Sequence, residues 1–516
     1  MIPGLGDVMA GSRPRVAARL AGLASASIGG KRLPGQGHRA IAHGSSAQGK
    51  RVPSLKKGTK NFCPSGPGFY RRDRARRDKV FCFFFSKKQC FIPVSFSKQD
   101  TLSGRPYTVA IVGGGFSGAV FGLKLHLAQP DWRVVIIEPS RSLGRGIAYG
   151  ACGPQHLLNV PVSRMEIGLQ PSFAAWLQQH RSRIAESLVE SGLDTLAAYV
   201  PRGLFGDYLS ERIGEALDTR SITGLTTVRG EAVRMLRHGQ GILLTDGREI
   251  EADIVVLAMG NLPPRPPGGP DPWLYDTGYF VPDPWAMDAF AGAGRDEPLL
   301  LIGAGLTMVD VALRLASEGH RGPMLAVSRR GLLPLRHEAG GAWSEFLAQH
   351  GSASPLALLR IVRQEVARAA AQGVPWQRVF DAARPAVPGI WHGWTNARRR
   401  QFSRHLRVRW DIHRHRMAPR IDDAVQRLRA SGRLEVVAGR IIRYAKAGPM
   451  VDVTLRLRGG GERVFRAGHV INCTGPGAEF DKIAVTLIAD LRERRLAASD
   501  PLGVGLRTQD CAVLDG

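Results

Sequence analysis

Thr108-Val-Ala-Ile-Val112-Gly-Gly-Gly-Phe-Ser-Gly118 decides the fold of this 516-residue chain. The first five residues are a β-branched, apolar run of the kind found in a buried parallel strand. The glycine loop that follows reads into a helix from Ser117 to about Ala128. Arg133-Val-Val-Ile-Ile137 reads as a second strand, closed by Glu138. Each glycine has a physical task. Gly113 permits the turn from strand to helix, Gly115 lets backbone approach a pyrophosphate, and Gly118 lets the helix pack close to the strand. The helix start offers free N–H groups and partial positive charge, so Phe116 and Ser117 join the candidate phosphate contacts. Glu138 is placed to accept hydrogen bonds from ribose hydroxyls. Strand, loop, helix, strand and acid in this order form a far more specific signal than the glycines alone. They point to an FAD-binding dinucleotide fold.

The pattern returns. Pro298-Leu-Leu-Leu-Ile302 reads as a strand, then Gly303-Ala-Gly305-Leu306-Thr307-Met308 as a second loop and helix start. Met308 stands where a third glycine would, which predicts a wider helix–strand spacing. Met324-Leu-Ala-Val327 is the next strand. It ends in Ser328-Arg329-Arg330 instead of an acid. An acid there would repel a 2′-phosphate, whereas arginines bind one. The expected cofactor is NADPH, with NADH less favoured. The bland alternative is a pair of solvated surface arginines.

Between the loops, Gly241–Thr245, the turn Asp246-Gly247 and Glu249–Ala252 read as a hairpin. Asp253–Gly260 reads as a buried strand that ends in glycine. A similar series, Arg433–Val437, Val451–Arg458 and His469–Gly475, also ends in glycine. One unit is used twice: a nucleotide fold, a β-meander and a returning strand. Gly260 and Gly475 are therefore candidate cofactor contacts. Residues 341–430 break the pattern and read as helical and basic. A solvated or substrate-facing basic helix is expected there, and His413 with His415 lacks a carboxylate or cysteine partner for a metal.

The expected architecture is α/β, with two Rossmann-like dinucleotide-binding domains, β-meanders and a helical insertion. The FAD domain is placed at 105–265 and the NAD(P)H domain at 266–477, with the insertion at about 341–430. Residues 478–516 return to the FAD domain. The formal net charge is +27, and residues 1–104 carry +16 of it. That extension shows no sustained period. It reads as a disordered segment or an upstream region translated from a misplaced start. A targeting segment and a nucleic-acid-binding arm are the alternatives. Six cysteines without C-x-x-C spacing fit a reducing cytoplasm and argue against a dithiol oxidoreductase. No apolar run is long enough for a membrane span.

Several further stretches carry a resemblance. They are Gly144-Arg-Gly-Ile-Ala-Tyr149, His156-Leu-Leu-Asn-Val-Pro161, Arg164-Met165, Gly305–Asp310, Ser328–Leu332, Trp410–Arg416 and Ile471–Gly475. Together they resemble the bacterial FAD-NAD(P)-binding family of flavoproteins with two dinucleotide-binding domains, over about 105–510. The resemblance implies FAD at the first site and NAD(P)H at the second. In such flavoproteins a C-terminal segment supplies a strand and a glycine turn beside the flavin, and Asp500–Gly505 looks like its approach. The segment itself is not found before Gly516, so a truncated chain with impaired FAD binding is expected as one outcome.

Tyr149, His156, Asn159 and Arg164 lie where loops of this fold face the flavin, and Asn159 is the residue placed in the FAD pocket. A purely structural loop around Pro161 is the competing reading. Arg202 and Tyr208 are read either as reaching a substrate or as surface helix positions, and Cys152 and Cys473 as packing residues. The expected chemistry is hydride transfer from NADPH to flavin, then electron transfer to oxygen or a small-molecule substrate. This follows the logic of N-hydroxylating and Baeyer–Villiger monooxygenases by analogy. A non-catalytic redox or partner-binding protein is the alternative. Nucleic acid is a disfavoured partner.

Overall fold

In the computed structural model the described residues are 80–82, 106–140, 142–180, 195–218, 224–268, 271–477, 479–509 and 511–514. Most of the basic extension therefore lies outside the described residues.

Two parallel-cored sheets carry the fold. The first holds β1 (Val80–Cys82), β2 (Thr108–Val112), β3 (Arg133–Glu138), β4 (Leu225–Arg229), β8 (Ile254–Leu257), β16 (Thr508–Gln509) and β17 (Ala512–Val513), in the order β16-β17-β1-β8-β2-β3-β4. Strands β2 and β8 are buried along almost their whole length, as expected for strands covered on both faces. A separate three-stranded antiparallel sheet holds β5 (Ala232–Met235), β6 (Gly241–Leu244) and β7 (Glu249–Glu251). The anticipated hairpin is β6–β7, turning at Gly247 with φ +86°.

The second sheet holds β9 (Phe280–Val281), β10 (Leu299–Ile302), β11 (Met324–Ser328), β12 (Leu434–Ala447), β13 (Met450–Leu457), β14 (Glu462–Ala467) and β15 (His469–Asn472), in the order β14-β13-β12-β11-β10-β15-β9. The two meanders are built differently. In the second unit one long strand, β12, runs parallel to β11 and then antiparallel to β13, so meander and nucleotide sheet are continuous. In the first unit the chain breaks at Gly230, between β4 and β5, and the meander stands alone. The α/β architecture with two Rossmann-like units is the one read from the sequence.

One expectation needs correction. No ordered structure was foreseen before residue 105, yet Val80–Cys82 forms β1. It lies parallel to β8, and β17 pairs with its other edge antiparallel. An open edge of β8 would expose a row of unpaired N–H and C=O groups, which β1 engages.

The insertion is helical, with helices at Pro355–Ala371, Trp376–Ala383, Val387–Gly393, Asn396–His405, Arg407–Arg414 and Pro419–Ala430. Its triple-arginine run does not project freely into water: Arg398, Arg399 and Arg400 donate to the carbonyls of Ser352, Trp391 and Pro501 at 2.8, 2.9 and 3.2 Å. Among the described residues no helix is long and apolar enough to cross a membrane.

Candidate active site

Strand β2 delivers the first glycine loop to the start of the Phe116–Ala128 helix, and the loop's four glycines have different surroundings. A Cβ on Gly113 would lie 2.4 Å from the Ala258 carbonyl oxygen, and one on Gly118 would lie 1.8 Å from the oxygen of Gly113. These two positions are closed by backbone. Gly114 faces Leu143 and Glu138. A Cβ on Gly115 would lie 3.3 Å from Gly146 Cα, a tight contact that a shift of a few tenths of an ångström in the Gly146 backbone would relieve. Gly115 is the N-cap of the helix and no side chain caps it. The Gly144–Gly146 segment folds over the loop, with Gly144 N–H donating to the Gly114 carbonyl at 2.8 Å. Phe116 packs its ring near Tyr149 and Phe205, at 5.7 and 6.0 Å between centroids. Ser117 is half-buried beside it.

Glu138 stands at the end of β3. Its carboxylate accepts from Gly114 N–H at 2.7 Å and from Ser140 N–H at 3.0 Å. A carboxylate has about four acceptor positions, so two such bonds leave capacity for a ligand hydroxyl.

The second loop repeats the geometry. A Cβ on Gly303 would meet the Cys473 oxygen at 2.5 Å, whereas nothing lies within 4 Å of one on Gly305. Gly305 is the uncapped N-cap of the Leu306–Ser317 helix, so Leu306 and Thr307 form its first turn. Met308 is fully buried in the core of this unit. Gly260 and Gly475 both have positive φ, +71° and +87°, and open space where a Cβ would be. The two chain crossings that follow them pair through Leu262 and Gly477.

At the end of β11, Ser328 Oγ accepts from Gly331 N–H at 3.0 Å and fixes the turn. Arg329 is exposed. Arg330 Nη1 and Nη2 donate to the His405 and Arg404 carbonyls at 3.4 and 3.3 Å. Burial lowers the pKa of Arg330, and the neighbouring charges of Arg409, Arg458 and Arg329 lower it further. Four guanidiniums thus share one corner, where an added anion would be stabilised.

A buried joint connects the two units. Arg202 Nη1 and Nη2 hold Asp310 at 2.6 and 3.0 Å, Nε donates to the Leu157 carbonyl at 2.8 Å, and Nη2 reaches Asn159 Oδ1 at 3.3 Å. Asp310 belongs to the helix that starts at Gly305, so the loop carrying Asn159 is docked on the second nucleotide unit. His156 completes the joint. Its Nδ1 accepts from Gly153 N–H at 3.0 Å, so the proton sits on Nε2, which donates to the Asp310 carbonyl at 3.0 Å. Burial lowers the His156 pKa, consistent with the neutral ring.

The surface alternative for Arg202 and Tyr208 fails: they are 7% and 0% exposed. Tyr208 donates to the Pro171 carbonyl at 2.9 Å and belongs to the aromatic core with Phe173, Trp176 and Phe205, and burial pushes its hydroxyl up to about 12. The Tyr149 hydroxyl is likewise pushed up to about 12 by burial. Cys473 is buried and its thiol is raised by burial and by Asp310; Cys152 is half-buried and also raised, mainly by burial. His413 is buried, stacked on Phe380 with centroids 4.7 Å apart, and its Nδ1 donates to the Arg409 carbonyl at 2.7 Å.

Arg164 enters a cluster that sequence reading missed. Asp381, on the Trp376–Ala383 helix, has Arg164 at 3.0 Å, Arg378 at 3.3 Å, Arg384 at 3.6 Å and Arg416 in direct contact. His337 adjoins the cluster, and its Nε2 donates to the Asn159 carbonyl at 2.9 Å. Burial and Arg416 push the His337 pKa down to about 3. A buried neutral histidine stabilises the fold above its unfolded pKa of 6.5. That contribution is lost as pH falls from 6.5 towards 3, because only the unfolded state takes up the proton. Between pH 7 and pH 4 the wild type should lose about 3 kcal/mol more than His337→Gln, which can still donate to Asn159. Urea unfolding followed at the two pH values checks this, and equal losses would contradict it.

The glycine contrast gives a second expected result. Gly118→Ala should cost several kcal/mol, since its clash is with backbone. Gly115→Ala should stay within about 1 kcal/mol of wild type yet retain less FAD. Thermal unfolding together with the flavin content of the purified proteins separates the two effects.

The family model described as FAD-NAD(P)-binding matches residues 110–262. A curated relative, L-aspartate N-monooxygenase (nitrosuccinate-forming) from Streptomyces cremeus, is 26% identical over 249 residues, covering 40% of this chain and 37% of that protein. The chain thus spans little more than a third of the length of that relative. Among solved structures, ornithine hydroxylase from Pseudomonas aeruginosa aligns with a TM-score of 0.49 at 16% identity, over 80% of this chain and 91% of that one. L-lysine 6-monooxygenase from Pseudomonas syringae aligns with a TM-score of 0.49 at 16% identity, over 77% and 86%. With two glycine-loop units on parallel sheets, and with the first of them matching this family model, the chain has the two-domain FAD/NAD(P)-binding flavoprotein fold.

Proposed function

We propose that the chain is an NADPH-dependent flavin oxidoreductase of the monooxygenase kind, acting on a small molecule. One observation carries the reading. Two glycine loops open into uncapped helix starts, at Gly115 and Gly305, and the buried Arg202–Asp310 pair couples the two units. The name of the Streptomyces relative, an N-monooxygenase, supports the reaction class.

In this reading FAD lies along Gly113–Gly118, with its pyrophosphate on the amides of Phe116, Ser117 and Gly118 and its ribose towards Glu138. Gly260 and Asn159 border the same site. NADPH takes Gly303, Gly305, Leu306 and Thr307 for its pyrophosphate and Ser328, Arg329 and Arg330 for its 2′-phosphate, with Gly475 at the closing crossing. When bound, FAD supplies hydride acceptance from the nicotinamide and delivery of electrons to oxygen. The protein supplies placement. The Arg202 fork holds Asn159 and the Leu157 carbonyl on one side and Asp310 on the other, so the two cofactor sites keep a set spacing. The neutral His156 holds the same loop without adding charge.

The test is direct. The purified full chain is examined for a bound-flavin spectrum, then for NADPH oxidation with FAD added, with and without oxygen. Oxygen-dependent NADPH oxidation by a yellow protein is expected. A colourless protein that leaves NADPH untouched even with added FAD would overturn the reading.

A further inference from the structure

We propose that the arginine cluster around Asp381 is the docking site for a small organic dicarboxylate, the substrate class of this enzyme. Calling that ligand a substrate rests on the oxidoreductase reading above; the binding site itself does not.

The charges do not balance without a ligand. Arg164, Arg378, Arg384 and Arg416 bring four positive charges to one carboxylate. Their side chains are 36%, 18%, 22% and 0% exposed, so water screens Arg164 and reaches the others poorly. The nearby acids do not close the gap. Glu338 is exposed and meets Gln377 Nε2 at 3.4 Å, and Asp411 faces Arg407 and Arg414. Buried charge without a partner is costly, and a bound anion of charge −2 would offset most of the excess.

Hydrogen bonding points the same way. Nε of Arg378 and Nε of Arg416 are buried without a hydrogen-bond partner in the structure, as is Gln377 Oε1. Arg416 is 1% and Gln377 3% exposed, so bulk solvent does not reach them. Unpaired buried donors of this kind are rare in native proteins and call for a missing partner. Arginine forks match carboxylates geometrically. The unpartnered acceptor Gln377 Oε1 would suit an N–H on the same ligand.

Location fits a substrate. Arg164 comes from the loop that also carries Asn159, while Arg378, Asp381, Arg384 and Arg416 come from the helical insertion. His337 ties the cluster to the Asn159 carbonyl, next to the proposed flavin site. A ligand held here would lie between the first nucleotide unit and the insertion.

The experiment is calorimetric titration of the full-length, FAD-supplemented protein with succinate, its uncharged analogue succinamide, and inorganic phosphate, without NADPH. Succinate should bind, succinamide should not, and phosphate should bind at least tenfold more weakly than succinate. Arg164→Gln, at the exposed edge, should weaken succinate at least tenfold while leaving thermal unfolding nearly unchanged; Arg384→Gln should do the same if it folds. The proposal is overturned if succinate fails to bind folded protein, if succinamide binds equally, if Arg164→Gln has no effect, or if phosphate binds as tightly. Succinate binding without NADPH oxidation would sink the oxidoreductase reading alone. NADPH oxidation without succinate binding would sink this proposal alone.

Discussion

Asp310→Ala should lose about 3–5 kcal/mol of unfolding free energy, the usual cost of leaving one member of a buried ion pair alone. Arg202 would then lie buried, with its two strongest bonds gone and only the Leu157 carbonyl and Asn159 Oδ1 as partners. Water cannot enter readily, because both residues are under a tenth exposed. The control is the paired substitution Arg202→Met with Asp310→Leu. It removes both charges, keeps volume, and should recover more than half of the loss. Denaturant unfolding followed by tryptophan fluorescence measures all three proteins. A loss below about 1 kcal/mol for Asp310→Ala would mean that the joint is solvated in practice. The functional readout goes further. With the paired substitution the fold persists but Asn159 loses its Arg202 bond, so weaker FAD retention at near-normal stability would mark a positioning role for Arg202.

Arg329→Glu should raise KM for NADPH about 100-fold and leave KM for NADH within about threefold. A charge-assisted bond to a phosphate is worth about 1.5–3 kcal/mol, and reversing the charge adds repulsion. Arg329 is the exposed member of the corner, while Arg330 is anchored on the carbonyls of Arg404 and His405. Substituting Arg329 should therefore alter the ligand's surroundings without loosening the insertion. Steady-state kinetics with the two nucleotides decide the matter. Parallel losses for both would show that the corner does not read the 2′-phosphate.

What could be read in the sequence was local. Thr108–Gly118 and Pro298–Thr307 declare strand, turn and helix within a dozen residues, because the backbone geometry of each loop demands glycine at set positions. The two-unit α/β architecture followed from those loops and from the strands that return to glycine. Features that depend on distant partners were hidden. Arg202 and Asp310 are 108 residues apart, and each reads alone as an ordinary surface charge. The cluster around Asp381 draws Arg164 from 217 positions upstream. No spacing rule connects such residues. The basic insertion itself reads as solvated or substrate-facing, so its buried charge was not foreseen. The strand at Val80–Cys82 was missed for a related reason: its pairing depends on the free edge of β8, more than 170 residues later.

The β5–β7 meander has a consequence for synthesis on the ribosome. Its apolar residues Met235, Ile242 and Leu244 share one core with Val255 and Leu257 of β8, and with Phe480, Leu487, Ile488 and Leu491 from the far end of the chain. These last residues are translated after the entire second unit. The first unit is therefore left with one face of its sheet covered by the meander alone while more than 200 further residues emerge. A nascent chain in that state displays Ile242, Leu244 and Val255 to its surroundings for the length of that interval. Yield on expression should accordingly respond to chaperone supply and to elongation rate more than to the stability of the finished protein.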